Sequence, residues 1–316
     1  MSDRLPRRTA LRIGGAAAVL AAGAVLSTPV PPSRIPVIGG EDRVPAGTPR
    51  DAGRLDWGPD AQRQTGWLLV PDSSAWGGGS QRPAYPVVVM IHGGGWDDAS
   101  DPGYMADLAW DLASRGVAVW APTYRGISGP GGWPETFQDV SDAIDFVPQL
   151  GEAGGFEPDR QRVHLLGHSA GAHLAAWALG RDRLPDDAPG AGGRIVPRSA
   201  TAMAGVYDLS RVAGLPGGEI VQDLLGGVTP EQDPRRYALA SPIEQLPIDR
   251  PVNVLHGQDD EIVPAWSIET YVQRHEETGN DGVVELLEQT DHDAWTDVRG
   301  IPWARARQAL IAELAR

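Results

Sequence analysis

Short apolar runs recur along the chain and are separated by segments with helical spacing. Most of the runs are apolar on both faces, which is typical of parallel strands covered by helices on both sides. The runs predict strands at residues 66–70, 87–91, 117–120, 162–166, 200–204, 252–255 and 283–287. Helical spacing or good helix formers predict helices at residues 104–114, 135–150, 170–180, 266–277 and 303–315.

This alternation predicts the α/β fold class, with a mostly parallel central sheet and helices on both faces. The chain has 316 residues, and α/β folds commonly use about 200–250 residues as one domain. We therefore expect a single α/β domain over residues 55–316.

The first residues have the pattern of an export signal. Arg7 and Arg8 precede an uncharged apolar run at residues 13–26, and Ala22-Gly23-Ala24 offers an A-x-A cleavage site. The run is shorter than the roughly 20 residues that span a bilayer. We predict a twin-arginine signal peptide at residues 1–24 and a secreted or extracytoplasmic protein, with an uncleaved N-terminal anchor as the alternative.

Residues 25–54 are rich in proline and glycine and have no hydrophobic period, which predicts an irregular linker.

The chain carries 42 acidic and 27 basic residues, a formal net charge of −15 at pH 7. Such a surface repels nucleic acid and anionic membranes, so we expect no nucleic-acid partner and no stable membrane insertion after cleavage. The chain has no cysteine, which excludes disulfides.

One motif predicts a nucleophilic serine. The apolar strand at residues 162–166 runs directly into Gly167-His168-Ser169-Ala170-Gly171, and an alanine-rich helical segment follows. A strand, a sharp turn and a helix in this order expose a serine hydroxyl at the top of a parallel sheet. Glycines flank the serine because its backbone is strained and the neighbouring backbones pass too close for a Cβ.

A second, independent motif agrees with the first. The buried-strand run at residues 87–91 ends in His92-Gly93-Gly94-Gly95-Trp96. Glycine loops at this position of such sheets supply backbone N–H donors to an oxyanion. Two motifs in the right order indicate acyl transfer through a serine.

A serine hydroxyl is a weak nucleophile unless a neighbouring base takes its proton. In this kind of fold the acid and then the histidine follow the serine along the chain. The strand at 252–255 leads to Asp259 and Asp260, and the strand at 283–287 leads to His292. We predict Ser169 as nucleophile, Asp260 as acid, with Asp259 as the rival, and His292 as base.

These motifs together resemble the α/β-hydrolase esterase/lipase family. The resemblance rests on His92 to Trp96, Tyr124-Arg125, Gly167 to Gly171, His256-Gly257 with Asp260, and His292, and it covers the chain from about residue 55 onward. The branch that is most similar includes kynurenine formamidases and bacterial feruloyl and acetyl esterases. The resemblance implies the α/β-hydrolase fold and oxyanion-hole donors from the backbones of Gly94, Gly95 and Ala170.

Several other side chains have two interpretations. Trp96, Trp133 and Trp295 lie near predicted active-site loops and either line a substrate pocket or pack in the core. His164 is expected to be a hydrogen-bonded core histidine, and His168 and His173 are expected to pack or to support loops. Asp139, Asp142 and Asp145 recur at helical spacing, which predicts a solvated face. Asp291-His292-Asp293 has no partner cluster, so we expect neither a metal nor a cofactor.

The sequence thus predicts an exported serine hydrolase that cleaves small or medium acyl esters through a Ser-Asp-His triad and an acyl-enzyme. Its expected partners are a small-molecule ester substrate and the twin-arginine export machinery. Two alternatives remain: an amide hydrolase, either formamidase-like or an exopeptidase, and a non-catalytic binding protein on the same fold.

Overall fold

A computed structural model describes residues 48–72 and 83–316. The predicted signal peptide at residues 1–24, and the predicted linker as far as residue 47, lie outside these ranges.

The described residues form one eight-stranded sheet with the order β1-β2-β4-β3-β5-β6-β7-β8. β1 pairs antiparallel with β2, and β2 pairs antiparallel with β4. All the other neighbours are parallel. The strands are β1 Arg50–Asp56, β2 Thr65–Val70, β3 Ala84–Ile91, β4 Ala118–Pro122, β5 Glu157–His168, β6 Ser199–Met203, β7 Val252–Gly257 and β8 Val284–Leu287.

Helices follow most of the parallel strands and cover the sheet. They are α1 Ala106–Ser114, α2 Glu135–Asp145, α3 Leu150–Gly154, α4 Ala170–Leu179, α5 Leu209–Ala213, α6 Glu219–Leu224, α7 Pro234–Ala240, α8 Glu269–Glu277 and α9 Ile301–Ala315. Together with the sheet order, this arrangement confirms the predicted α/β-hydrolase fold, with a mostly parallel sheet and helices on both faces.

Alternate residues of β3 belong to two separate cores. Val87, Val89 and Ile91 pack into the larger core, which includes residues of α2, α4 and α8. Val88 and Met90 pack into the smaller core with residues of α1 and α9. Because successive strand residues point to opposite faces, the two cores lie on the two sides of the sheet. A sheet buried on both sides explains why the central strands are apolar throughout.

Two expectations about the fold are wrong. β1 begins at Arg50, so residues 50–54 are not part of an irregular linker. The strand Arg50–Asp56 has no apolar run because it is an edge strand, and its backbone pairing with β2 orders it. Helix 135–150 is also interrupted: α2 ends at Asp145, and a 3₁₀ turn at Val147–Gln149 precedes α3.

The predicted solvated face of α2 is in fact partly a buried ion-pair face. Asp139 is fully buried and accepts two hydrogen bonds from the guanidinium of Arg125 and one from Gln64. Asp145 is also buried and pairs with the buried guanidinium of Arg181. Helical spacing of carboxylates therefore marked a face that packs against arginines from other parts of the chain.

Within the described ranges, no helix is both long enough and apolar enough to span a membrane.

Candidate active site

Ser169 lies at the sharp turn between β5 and α4. Its backbone has φ 57° and ψ −123°, in a region that side-chain-bearing residues rarely adopt. A Cβ added to Gly167 would overlap the carbonyl of Gly171, and one added to Gly171 would overlap the carbonyl of Ile91. The turn can therefore form only because both flanking residues are glycine.

The loop after β3 lies against this turn and is itself left-handed. Gly94, Gly95 and Trp96 have φ values of 96°, 63° and 56°. A Cβ added to Gly93 would lie 2.9 Å from the Cβ of Ser169 and 2.6 Å from the carbonyl oxygen of His168. The glycine loop and the serine turn are thus in close contact.

Three backbone N–H groups predicted as oxyanion donors are free. In the described part of the chain, the N–H groups of Gly94, Gly95 and Ala170 donate no hydrogen bond. The N–H of Ser169, in contrast, donates to the carbonyl of Met203 at 2.9 Å. Gly95 is half-buried and Ala170 is buried, and N–H groups in such places are normally paired, so these two free donors are available to bind an oxygen. Gly94 is exposed, and its N–H is open to solvent.

Tyr124 supports the end of β3, from which the glycine loop starts. Its hydroxyl donates to the carbonyl of His92 at 2.9 Å, and its ring stacks on the imidazole of His92 at 4.3 Å. Arg125 is bound to Asp139 of α2 at 2.7 Å. Tyr124-Arg125 thus anchors the glycine loop to the helical layer.

Asp260 and His292 form a hydrogen-bonded pair. The distance between Asp260 Oδ2 and His292 Nδ1 is 2.7 Å, and the other carboxylate oxygen accepts from the N–H groups of Ile262 and Val263 at 3.0 and 2.7 Å. Burial opposes ionisation of Asp260, but the hydrogen bonds from His292 and Val263 outweigh it and hold the pKa of this carboxyl below its ordinary value. Asp259, the rival acid, is exposed.

The loop that carries His292 reaches the serine turn through His168. The imidazole of His168 forms a hydrogen bond at 2.9 Å to the carbonyl of His292, and the two rings are 4.9 Å apart. Among the described residues there is no hydrogen bond between Ser169 Oγ and His292. Catalytic hydrogen bonds are often long without substrate and tighten when it binds.

Two of the three candidate pocket tryptophans are core residues. Trp295 is 0% exposed and packs in the smaller core, and Trp96 is 4% exposed and donates to His173 at 3.2 Å. For these two the pocket interpretation is wrong, because neither presents a surface to a ligand. Trp133 is half-buried and stacks edge-on against Phe137, so it keeps an accessible face.

His164 and His173 have structural partners, as expected, whereas His275, which its polar helix predicted to be solvated, is buried. His164 lies between the hydroxyls of Ser199 and Thr201 at 2.6 and 2.9 Å, and burial lowers its pKa to about 3. His173 contacts the carbonyl of Ala240 at 2.9 Å. Within the described ranges, no cluster of three or more His, Cys, Asp or Glu residues is arranged to hold a metal ion.

Two residues near the site were not predicted. Tyr104 accepts a hydrogen bond at 2.7 Å from the N–H of Gly93, and nothing in the sequence pattern around it indicated this contact. Ile220, on α6, is 38% exposed, and its Cδ1 lies 2.9 Å from where a Cβ of Gly95 would be. Only the length of the segment between β6 and β7 could have indicated that a helix approaches the glycine loop.

Comparisons with known proteins identify the family of this chain. A family model described as BD-FAE matches residues 78–271. The chain is 30% identical over 241 residues to a probable carboxylic ester hydrolase, LipM, of Mycobacterium tuberculosis, covering 72% of this chain and 54% of that protein. It is 27% identical over 218 residues to kynurenine formamidase of Danio rerio, covering 67% of each chain.

A third relative is the probable isoprenylcysteine alpha-carbonyl methylesterase ICME of Oryza sativa subsp. japonica, 28% identical over 67% of this chain and 52% of that protein. The chain therefore spans about half the length of the curated relatives that match it first.

Solved structures share the fold. A truncated carbohydrate esterase from gut microbiota superposes with a TM-score of 0.69 at 18% identity, covering 87% of this chain and 99% of that chain. The thermophilic esterase Est2 of Thermogutta terrifontis gives a TM-score of 0.63 at 21% identity, covering 83% and 90%.

Proposed function

Since the chain belongs to the BD-FAE family, within the esterase branch of the α/β-hydrolases, we propose that it is a serine hydrolase that cleaves esters of small or medium acyl groups. The observation that carries the proposal is the hydrogen-bonded pair of Asp260 and His292. The backbone carbonyl of His292 is also hydrogen-bonded to His168, the residue that precedes the strained Ser169. In the described part of the chain, the N–H groups of the adjacent Ala170 and of Gly94 and Gly95 donate no hydrogen bond.

The arrangement supports a defined sequence of proton transfers. His292 Nδ1–H donates to Asp260, which leaves Nε2 as the basic nitrogen. Ser169 Oγ attacks the ester carbonyl as its proton passes to Nε2, and the N–H groups of Gly94, Gly95 and Ala170 bind the oxyanion. The imidazolium then protonates the departing alcohol, leaving an acyl-enzyme. Water, deprotonated by the same nitrogen, releases the acid and restores Ser169.

The segment between β6 and β7 supports a preference for short acyl groups. It holds the three short helices Leu209–Ala213, Glu219–Leu224 and Pro234–Ala240, and Ile220 approaches Gly95 from the second of them. Helices of this size leave little chain for a large hinged lid. Each CH₂ of an acyl chain contributes about 0.8 kcal/mol only where it is removed from water. Acetate or butyrate esters are therefore better substrates than long-chain esters.

Amide hydrolysis is the second candidate. It is favoured by the similarity to Danio rerio kynurenine formamidase, which covers the same share of both chains. The same serine, pair and donors would serve a formamide, because both reactions pass through a tetrahedral oxyanion.

We also propose that the protein works outside the cytoplasm after twin-arginine export. The support is the pattern at residues 1–24, with paired arginines before a short apolar run. Fractionation of the native host tests this: a shortened chain outside the cytosol is expected, and a full-length chain confined to the cytosol would contradict it.

Kinetics with matched substrates test the activity. We would measure kcat/KM for p-nitrophenyl acetate, butyrate, octanoate and palmitate and for N-formylkynurenine, and identify the residue labelled by a fluorophosphonate. We expect the highest value at acetate or butyrate and a label on Ser169, with neither hydrolysis nor labelling in Ser169→Ala.

A maximum at octanoate or longer would contradict the short-acyl preference, and a maximum at N-formylkynurenine would favour the amide alternative. Neither hydrolysis nor labelling of the unmodified chain would favour a non-catalytic binding protein.

A further inference from the structure

We infer that His168 is a positioning residue that fixes the glycine loop and the loop carrying His292 relative to each other and to Ser169. It contacts the first loop through the hydroxyl of Tyr104. This inference rests on the proposed function, because the groups that His168 positions are the proposed base and the proposed oxyanion donors.

A continuous series of hydrogen bonds connects the two loops. The N–H of Gly93 donates to Tyr104 Oη at 2.7 Å, Tyr104 Oη lies 3.1 Å from His168 Nδ1, and His168 Nε2 lies 2.9 Å from the carbonyl oxygen of His292. The series starts one residue before Gly94 and ends on the backbone of the proposed base. It passes through the residue that precedes the proposed nucleophile.

The direction of each hydrogen bond follows from its partner. The carbonyl of His292 can only accept, so His168 Nε2 must carry a proton. His168 is 3% exposed, and burial lowers its pKa to about 4, so the ring is neutral near pH 7 and Nδ1 is an acceptor. Tyr104 O–H must therefore donate to Nδ1, which leaves its oxygen to accept from Gly93. Every donor and acceptor of the series is matched.

The turn that carries Tyr104 is fixed by its own cap and by a buried neighbour. Tyr104 lies in the 3₁₀ turn Pro102–Met105, which is capped by the Asp101 carboxylate accepting from Gly103 N–H at 2.7 Å, and Met105 of the same turn is buried. Although Tyr104 is 44% exposed, its hydroxyl faces Gly93 and His168. The exposed part is thus the ring, and the polar end is committed to the network.

A space-filling role for His168 would not require this pattern. Packing alone needs neither a defined tautomer nor a tyrosine hydroxyl that bonds both a loop N–H and an imidazole. The network also connects the loops after β3 and β5, which pair with each other as far as Ile91 and Gly167, to the loop after β8, which β6 and β7 separate from β5. A displacement of about 1 Å of a catalytic group can lower turnover by about 100-fold.

The variants separate the two ends of the imidazole. In His168→Gln the amide nitrogen can still reach the carbonyl of His292, whereas in His168→Asn the amide oxygen can still accept from Tyr104. His168→Ala removes both contacts, and Tyr104→Phe removes one hydroxyl from a half-exposed side chain. Tyr237→Phe is the control for the loss of a tyrosine hydroxyl: the side chain is fully buried, and its hydroxyl donates to the carbonyl of Val228 at 2.8 Å, away from the network.

We expect His168→Ala to lower kcat for p-nitrophenyl acetate by about 100-fold and Tyr104→Phe by about 10-fold, with KM within about twofold of the unmodified protein. The Gln and Asn variants should each recover part of the loss. Because the two residues act in one series, the double variant Tyr104→Phe/His168→Ala should be no worse than His168→Ala alone. Tyr237→Phe should keep its kcat.

Retention of kcat within about twofold in both Tyr104→Phe and His168→Ala would overturn the inference, as would an effect on KM alone or fully additive losses. If His168→Ala fails to fold, Tyr104→Phe and the two amide variants still decide. Labelling of Ser169 by a fluorophosphonate in the unmodified chain shows separately whether the proposed function holds.

A readout independent of activity is the protonation state of His168. In ¹⁵N-histidine-labelled full chain, NMR should show a neutral ring with the proton on Nε2 between pH 6 and 8, assigned by its loss in His168→Gln. A charged ring or a proton on Nδ1 would overturn the network even in an inactive protein.

Discussion

Asp260 and His292 lie on loops that follow the neighbouring parallel strands β7 and β8, and Asp260 Oδ2 is 2.7 Å from His292 Nδ1. The carboxyl ends of adjacent parallel strands meet at one edge of the sheet, which is why residues 32 positions apart in the chain can pair. The pairing fixes which ring nitrogen carries a proton.

The first prediction follows from this pairing and uses the neighbouring aspartate as its control. Asp260→Asn should lower kcat by about 10⁴-fold, because the amide favours the wrong tautomer of His292. Asp259→Asn, at an exposed carboxylate, should leave kcat nearly unchanged. Steady-state kinetics on both variants checks this. The reverse order of effects would transfer the acid role to Asp259.

The second prediction compares two glycines with similar backbones. Gly94 has φ 96° and Gly116 has φ 86°, but a Cβ on Gly94 would overlap Ser100, whereas a Cβ on Gly116 meets nothing within 4 Å. Alanine should cost about 1–2 kcal/mol of stability at either position from backbone strain alone. Only Gly94→Ala should also lower kcat, since it must displace the donor loop. Urea unfolding and kinetics on both variants measure the two effects, and equal activity of the two would contradict the role of the loop.

The third prediction concerns the pH dependence of stability. Burial lowers the pKa values of six of the seven histidines, and for four of them the value falls to about 3 or 4: His92, His164, His168 and His173. Below pH 6.5 the histidines of the unfolded chain bind protons that those of the folded chain do not. The free energy of unfolding is therefore highest above that pH and falls as the pH decreases toward 4. The raised pKa values of Asp142 and Glu313 act in the opposite sense, but they are fewer.

Each of the four histidines should contribute roughly 1 kcal/mol per pH unit near pH 5. The free energy of unfolding from urea titrations should thus decrease steeply between pH 6.5 and 5. A flat profile over this interval would show that these rings are not neutral and buried as described.

The fourth prediction contrasts a buried and an exposed ion pair. Asp139→Ala leaves the buried Gln64 amide and the Arg125 guanidinium, which is 24% exposed, without their carboxylate and should cost about 2–3 kcal/mol. Asp187→Ala breaks the fully exposed pair with Arg235 and should leave the free energy of unfolding unchanged. Similar losses for the two variants, measured by urea unfolding, would mean that the pair at Asp139 is also well solvated.

Local patterns were sufficient for the central sheet and for the two glycine-dependent turns of the site. All seven predicted strands overlap β2 to β8, because a strand buried on both faces is apolar throughout. The turn at Ser169 and the glycine loop were predictable because their backbones demand glycine at fixed spacing. Asp260 needed the structure, since sequence alone left two adjacent aspartates.

Contacts between residues far apart in the sequence determine the features that local patterns did not predict. β1 is ordered by its pairing with β2, which no property of its own residues indicates. The burial of Asp139 depends on Gln64, 75 positions away, and the burial of Trp295 depends on packing against α9. Tyr104 enters the site only because its turn folds back on Gly93, 11 residues earlier.

The left-handed backbone of Ser169 creates a conflict between heat resistance and turnover when the protein is engineered. Glycine adopts φ 57° far more readily than serine does, so replacing Ser169 with glycine relieves strain while it removes the hydroxyl. A library selected only for survival at high temperature would therefore enrich chains that no longer react. Heat-tolerant variants of this protein should be sorted by hydrolysis and by melting temperature in the same round.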